Sequence, residues 1–233
     1  MFFTDRLKSR LLSFLRQKRI DTVLSKADFK KYKSIAIMGG AFDPPHLGHF
    51  VTAQTVYDSF DVDKVIIMPL GDAPHKANSR TKAEDRYNMV LAGIDDNDAF
   101  DISDMEINRK GKTYTVDTIA EIKKINPELK IYFVIGADEA KMLDTWHEPE
   151  RLLKMCSFIA VSRPGFDRNE LIKTVDEVRK KYCCDIHYID VPALDISSSD
   201  LREKISEGRS IKYLVPDKTE KYINEHNLYR RCN

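Results

Sequence analysis

No C-x-x-C pair occurs among the four cysteines, Cys156, Cys183, Cys184 and Cys232. Cys183 and Cys184 are adjacent and cannot easily bridge each other, so the sequence predicts no disulfide framework and a reducing, cytoplasmic setting. Nowhere is there a run of about 18 apolar residues, so no membrane span is expected. Phe2 and Phe3 are followed quickly by Asp5, Arg6 and Lys8, which leaves no continuous signal-peptide h-region. The formal net charge is only +1, which removes any general case for nucleic acid or an acidic membrane as a partner. Internal repeats and low-complexity tracts are missing. So are the G-x-G-x-x-G dinucleotide fingerprint and the G-x-x-x-x-G-K-[ST] phosphate loop.

What is present is a chain of 233 residues, long enough for one good core and a small appendage. Its charge balance hides an asymmetry. Residues 1–33 hold ten Lys or Arg against three Asp or Glu, net +7, whereas the remaining 200 residues carry 28 basic and 34 acidic side chains, net −6. A basic extension over 1–33 and a body over 34–233 therefore read separately. In the extension Leu7, Leu11, Phe14 and Leu15 share one helical face, with Arg6, Arg10 and Lys18 around them. Docking on the body or on a second copy of the chain, as a homo-oligomer, is the favoured reading; a membrane-surface or nucleic-acid arm ranks second and a targeting peptide third.

Short apolar runs alternate with amphipathic stretches. Ser34–Met38, Lys64–Met68, Ile131–Ile135, Phe158–Val161 and Ile186–Val191 predict strands buried on both faces. Helices are expected at Leu47–Tyr57, Lys82–Ile94, Val116–Ile125, Asn169–Lys181, Ser198–Ser206 and Lys218–Glu225. This alternation is the signature of an α/β parallel sheet with helices on both faces. Ligands in such sheets bind beyond the carboxyl ends of the strands, which directs attention to the loops there.

The first such loop is GGAFDPPHLGHF, residues 39–50. Gly39 and Gly40 let backbone N–H groups approach a ligand with no Cβ in the way. Pro44 and Pro45 stiffen the turn into a helix beginning near Pro45 or His46, whose N-terminus is a natural phosphate seat. His46 and His49 share the first helical turn and can both donate to phosphate oxygens. Gly48 between them leaves room for a flat group. A zinc reading of the two histidines lacks a third ligand of standard spacing, and a plain glycine turn with two incidental histidines is the bland alternative.

Other loops are less specific. DISSSDLR, residues 195–202, offers Ser197, Ser198 and Ser199 as N-caps with Arg202 one turn on, which is either a second polyphosphate site or an ordinary capped helix. Gly136 and Asp138 follow a strand, where a carboxylate can accept ribose hydroxyls. Trp146, the only tryptophan, either stacks on a flat ligand ring or fills the core. Tyr114 and Thr115 either read a small polar ring or start a helix. Lys76 either meets a phosphate or is a solvated surface lysine. His147 and His187 show no partner in sequence.

Taken in order and spacing, these segments resemble the bacterial nicotinate-nucleotide adenylyltransferases of the H-x-G-H nucleotidyltransferase superfamily, from about Ser34 to Leu228. The resemblance is carried by GGAFDPPHLGH, APHK at 73–76, KTYTVDT at 112–118, VIGAD at 134–138 with Trp146, SRPG at 162–165 and ISSSDLR at 196–202. It implies a Rossmann-like sheet of the nucleotidyltransferase type and transfer of AMP from ATP to nicotinate mononucleotide. It also implies roles: His46 and His49 contact the ATP phosphates in the transition state, and Gly39 and Gly40 line the triphosphate. Gly136 and Asp138 hold adenosine, Arg163 lies on the adenine side, and Ser198, Ser199 and Arg202 bind the β and γ phosphates. Tyr114, Thr115 and Trp146 recognise the nicotinate ring, and Lys76 is a further phosphate contact. Position 41 is Ala where the family commonly has Thr or Ser, Ala73 replaces a common Pro, and residues 1–33 have no counterpart.

A phosphate nucleophile is already anionic, so the expected catalysis is positioning and charge stabilisation, with Mg²⁺ held mostly by the polyphosphate and water. The rival readings are an adenylyltransferase for nicotinamide mononucleotide or phosphopantetheine, and a nucleotide-binding module without turnover.

Overall fold

The computed structural model describes residues 23–24, 28–71, 81–162, 167–192 and 194–230. Lys76, Arg163, Ala73 and the predicted amphipathic face of Leu7, Leu11, Phe14 and Leu15 lie outside the described residues. Seven strands are found among them: β1 (Val23–Leu24), β2 (Ser34–Gly40), β3 (Lys64–Pro69), β4 (Phe100–Ser103), β5 (Lys130–Gly136), β6 (Ser157–Val161) and β7 (Ile186–Ile189). They form one sheet in the order β1-β4-β3-β2-β5-β6-β7, with every pairing parallel. The helices are α1 (Leu47–Ser59), α2 (Ala83–Ile94), α3 (Thr115–Ile125), α4 (Ala137–Lys141), α5 (Pro149–Met155), α6 (Arg168–Tyr182), α7 (Ser198–Ser206) and α8 (Asp217–Glu225).

The strands alternate between two apolar layers. Ile35, Ile37, Ile66, Met68, Ile131, Phe133, Phe158 and Ala160 face one cluster, with Ile119, Ile122, Leu152, Leu171 and Val175 from α3, α5 and α6. Ala36, Val65, Ile67, Tyr132, Val134 and Ile159 face the other, with Phe50, Ala53, Val56, Val90 and Ile94 from α1 and α2. A period of two with both faces apolar is why these strands read as unbroken hydrophobic runs. Each Val, Leu, Ile, Phe or Met side chain among them contributes about 1.5–3 kcal/mol when taken out of water.

Two strands were not legible in the sequence. β4 is four residues long and carries a polar residue at its centre, Asp101, which is buried and accepts a 2.7 Å hydrogen bond from the Tyr32 hydroxyl. β1 is a two-residue edge strand paired with β4. Packing also reaches upstream of residue 34: Phe29 is fully buried, and Asn126 Nδ2 donates to the Phe29 and Tyr32 carbonyls. A third apolar cluster joins α2, α7 and α8 through Met89, Leu201, Ile211, Val215 and Ile223. Gly93 is needed where these helices cross, because a Cβ there would lie 2.8 Å from the Phe50 ring and 2.9 Å from Thr219 Oγ1.

Candidate active site

β2 and β5 are neighbours, but their ladder ends at Met38 and Val134. Past that point β2 stays paired with β3 to Gly40 and Pro69, while β5 stays paired with β6 to Gly136 and Val161. The two central strands therefore part over their last residues. Strand order also reverses here, since the chain runs outward through β3 and β4 on one side and through β6 and β7 on the other. A crevice at such a switch point is where open α/β sheets bind ligands. Rings pack against both glycines: a Cβ on Gly39 would lie 3.4 Å from Phe133, and one on Gly40 would lie 3.0 Å from Phe42.

The first loop leaves β2 with Phe42 buried and in the left-handed region at φ 50°. His46 is the N-cap of α1, with extended φ −143° and ψ 168°. Its backbone N–H donates to His49 Nδ1 at 3.1 Å, and the two imidazoles stack with centroids 3.7 Å apart at 29°. Phe42 meets the His49 ring edge-on at 5.0 Å. An Nδ1 that accepts a hydrogen bond leaves His49 with Nε2–H as its donor, the tautomer a phosphate oxygen requires.

Two expectations change. The helix N-terminus offers fewer amides than its sequence suggests, because Leu47 N–H donates to Leu214 O at 2.9 Å and His49 N–H to His46 O at 2.9 Å. The room at Gly48 is shared with the His46 imidazole: a Cβ there would sit 3.0 Å from His46 Nδ1.

The N-terminus of α7 converges on the same loop. Ser197 caps the helix, its Oγ accepting from Asp200 N–H at 3.1 Å. Ser198 Oγ donates to Pro44 O at 2.8 Å, Arg202 Nη1 donates to Asp43 O at 2.7 Å, and Arg202 Nη2 donates to Ser199 Oγ at 3.2 Å. Of the predicted phosphate ligands, Ser198 and Arg202 are thus also struts of the first loop. A guanidinium carries five N–H donors, so Arg202 can hold the loop and still offer donors to an anion.

Across the crevice, Gly136 is the buried N-cap of α4, and its N–H is taken by Glu139 Oε2 at 2.8 Å. Asp138 stands exposed one residue into that helix. Tyr114 is the N-cap of α3 and Thr115 its first residue. Trp146 is half-buried, with its ring at right angles to Phe133 at 6.1 Å and tilted against Phe158 at 6.4 Å. His147, which the sequence leaves without a role, stacks on Tyr114 with centroids 4.2 Å apart at 29°.

Three supporting groups escape sequence reading. Arg86 is 2% exposed and donates to the carbonyls of Ala41, Leu70 and Gly71. Tyr229 donates to the buried carboxylate of Asp43. Glu106 is buried, its Oε1 accepting from the Thr118 hydroxyl at 2.8 Å, while Arg109 donates to Thr118 Oγ1 and to Glu121 Oε2, each at 2.8 Å. Burial pushes the Glu106 carboxyl above its ordinary value, with the Thr118 hydrogen bond and Arg109 opposing. This network ties the segment after β4 to α3 behind Tyr114. Only Arg86 left a signal in the sequence, as a charge at helical spacing with Val90 and Ile94 on the apolar face of its helix.

Among the described residues no group of three or more His, Cys, Asp or Glu is arranged to hold a metal ion. Imidazoles, hydroxyls and a guanidinium around the first loop are anion donors, and they suit a polyphosphate whose own oxygens carry any cation.

The Cytidylyltransferase-like family model matches residues 37–204. The chain is 44% identical over 199 residues to a probable nicotinate-nucleotide adenylyltransferase of Desulfitobacterium hafniense (strain DSM 10664 / DCB-2), covering 85% of this chain and 96% of that protein. It is 45% identical over 199 residues to a similarly named protein of Thermoanaerobacter sp. (strain X514), covering 84% and 94%. Its fold matches the structure of Plasmodium falciparum nicotinic acid mononucleotide adenylyltransferase complexed with NaAD, at TM-score 0.69 and 24% identity, over 84% of this chain and 97% of that one.

Proposed function

This chain belongs to the nicotinate-nucleotide adenylyltransferases, within the cytidylyltransferase-like family, and from that premise we propose that it transfers AMP from ATP to nicotinate mononucleotide in NAD biosynthesis. The products are nicotinate adenine dinucleotide and pyrophosphate. The observation that carries this reading is the convergence of two helix N-termini, those of α1 and α7, on the Asp43–Pro44 segment at the sheet's switch point.

The chemistry asks little covalent work of the protein. An oxygen of the mononucleotide's 5′-phosphate, anionic near neutral pH, bonds to the α-phosphorus of ATP. The bond from that phosphorus to the bridging oxygen breaks, and its electron pair leaves with pyrophosphate. No general base and no enzyme-bound intermediate is required, so the protein positions the reactants and stabilises developing charge. His49 Nε2–H and His46 serve the phosphates, with Gly39 and Gly40 lining the triphosphate and Ser198, Ser199 and Arg202 on its far side. Gly136, Asp138 and Arg163 serve the adenosine end. Tyr114, Thr115 and Trp146 take the acceptor ring, and Lys76 a phosphate. A divalent cation supplies charge neutralisation on the polyphosphate when bound; Mg²⁺, held by phosphate oxygens and water, is the expected one.

The transferase domain takes residues 34–233 together with β1 and Phe29, which the sheet and its core already include, and the rest of the basic segment docks on the body or on a second copy in a homo-oligomer. Sedimentation of full-length and truncated chains tests that arrangement. The three described cysteines are free thiols, in keeping with a cytoplasmic enzyme, and no helix among the described residues is long and apolar enough to cross a membrane. The function is tested by incubating the protein with ATP, Mg²⁺ and, in turn, nicotinate mononucleotide, nicotinamide mononucleotide and phosphopantetheine. Pyrophosphate release should be fastest with the first. Release with none of them would leave a nucleotide-binding module without turnover.

A further inference from the structure

The last rung between β2 and β3 is the 2.9 Å bond from Leu70 N–H to Gly40 O. Beyond it the two chains fork, one into the first loop and the other toward α2. At the fork lies the Arg86 guanidinium, among the largest fully buried side chains of the molecule. Nη1 donates to Ala41 O at 2.8 Å on one branch, and Nη2 donates to Leu70 O at 2.7 Å and Gly71 O at 3.3 Å on the other. The side chain thus replaces the ladder where the ladder stops. Carbonyls leaving a sheet into a buried fork need donors, and a planar guanidinium supplies them in a fixed geometry that an ammonium does not match.

The neighbouring backbone has little freedom to compensate. Phe42 turns left-handed directly after Ala41, at φ 50°. Gly71 lies so close to the next segment that a Cβ would fall 2.4 Å from Glu106 O. Ala41 also has no side-chain hydroxyl to offer a phosphate, so what this position contributes is its backbone, and Arg86 holds that backbone.

We propose that Arg86 is a positioning residue, which sets the spacing of the β2–β3 fork and thereby the place of the first loop under the polyphosphate of a nucleoside triphosphate. This rests on the adenylyl-transfer reading, but its test does not depend wholly on the acceptor.

The experiment compares full-length wild type and Arg86→Lys, with Mg²⁺, in two arms. Calorimetry measures affinity for α,β-methylene-ATP, and steady-state kinetics give kcat and the two KM values. Lysine keeps the charge and loses the fork. The expected result is a folded variant whose analogue affinity and kcat each fall about tenfold or more, while the KM for nicotinate mononucleotide stays within about twofold. Unchanged analogue affinity overturns the proposal, and so does an equal rise in both KM values, which would mark general loosening. Should the variant melt below assay temperature, hydrogen exchange on wild type decides: the amides of Ala41, Phe42, Asp43 and His46 should gain protection on analogue binding together with those of Leu70 and Gly71, and protection of the first four alone overturns the proposal. A wild type that binds the analogue yet turns over no acceptor counts against the function, and the analogue arm still decides Arg86.

Discussion

The phenol of Tyr229 donates a 2.6 Å hydrogen bond to the carboxylate of Asp43, joining the C-terminal segment to the first loop across 186 residues of sequence. Asp43 is 4% exposed, and its backbone carbonyl is the group that accepts from Arg202. One residue is thus fixed from two sides. Burial, and then the neighbouring carboxylate, hold the Tyr229 phenol above its ordinary pKa, so it remains a donor throughout the range in which such an enzyme is assayed.

Tyr229→Phe removes one donor from that buried carboxylate. Removing one partner of a buried hydrogen bond costs about 1–3 kcal/mol, and the loop it releases carries His46 and His49. Stability should fall by that amount in urea unfolding, and turnover by roughly tenfold. A folded variant with wild-type kcat would show that Asp43 does not depend on the tyrosine to seat the loop.

His49 should matter through its Nε2–H, since His46 N–H occupies Nδ1. His49→Ala is expected to lower kcat by about a hundredfold or more, as loss of a transition-state donor does. The measurement is kcat in a variant whose melting curve matches wild type. Near-normal turnover there would take His49 out of the chemistry.

Trp146 distinguishes the two substrates. Its ring rests on Phe133 and Phe158, and its remaining face is the proposed seat of the acceptor ring. Trp146→Ala should raise the KM for nicotinate mononucleotide more than the KM for ATP. Equal effects on both would mean the ring serves only the core.

Glu106 gives a pH-dependent prediction. Burial raises its carboxyl in the folded state, so the native protein holds this proton longer than the unfolded chain does. The stability so gained is fully present below the unfolded value, near 4.3 for an ordinary Glu, and is lost as pH rises through the higher folded value. Glu106→Gln cannot titrate. The variant-minus-wild-type difference in unfolding free energy should therefore climb with pH above about 4.3 and then level off. A difference that stays flat between about pH 4 and pH 8, or declines, would contradict the buried, raised carboxyl.

The central strands were legible because Ile35, Ile66, Ile131 and Phe158 lie in apolar runs that both helical layers cover. β4 was not, because its burial of Asp101 depends on Tyr32, a partner 69 residues away. The same reason hid much of the site's support. Gly39, Gly40, His46 and His49 are neighbours in sequence, and their spacing alone suggests phosphate chemistry. Ser198 and Arg202 were read as phosphate ligands, yet their bonds to Pro44 and Asp43 connect positions more than 150 residues apart. At Gly48 the neighbour is local but equally hidden from residue types alone: the His46 ring, two residues before it, shares the space that the missing Cβ opens.

AMP transfer sends the α-phosphorus of ATP, with its adenosine, to nicotinate mononucleotide. Parallel reactions with ATP labelled at the α or the γ phosphorus, resolved by chromatography, test it most directly. The α label should appear in nicotinate adenine dinucleotide, and the γ label in an equimolar amount of pyrophosphate. Label from the γ position in the acceptor product, or α label that never leaves ATP while nicotinate mononucleotide is present, would rule out adenylyl transfer to this acceptor.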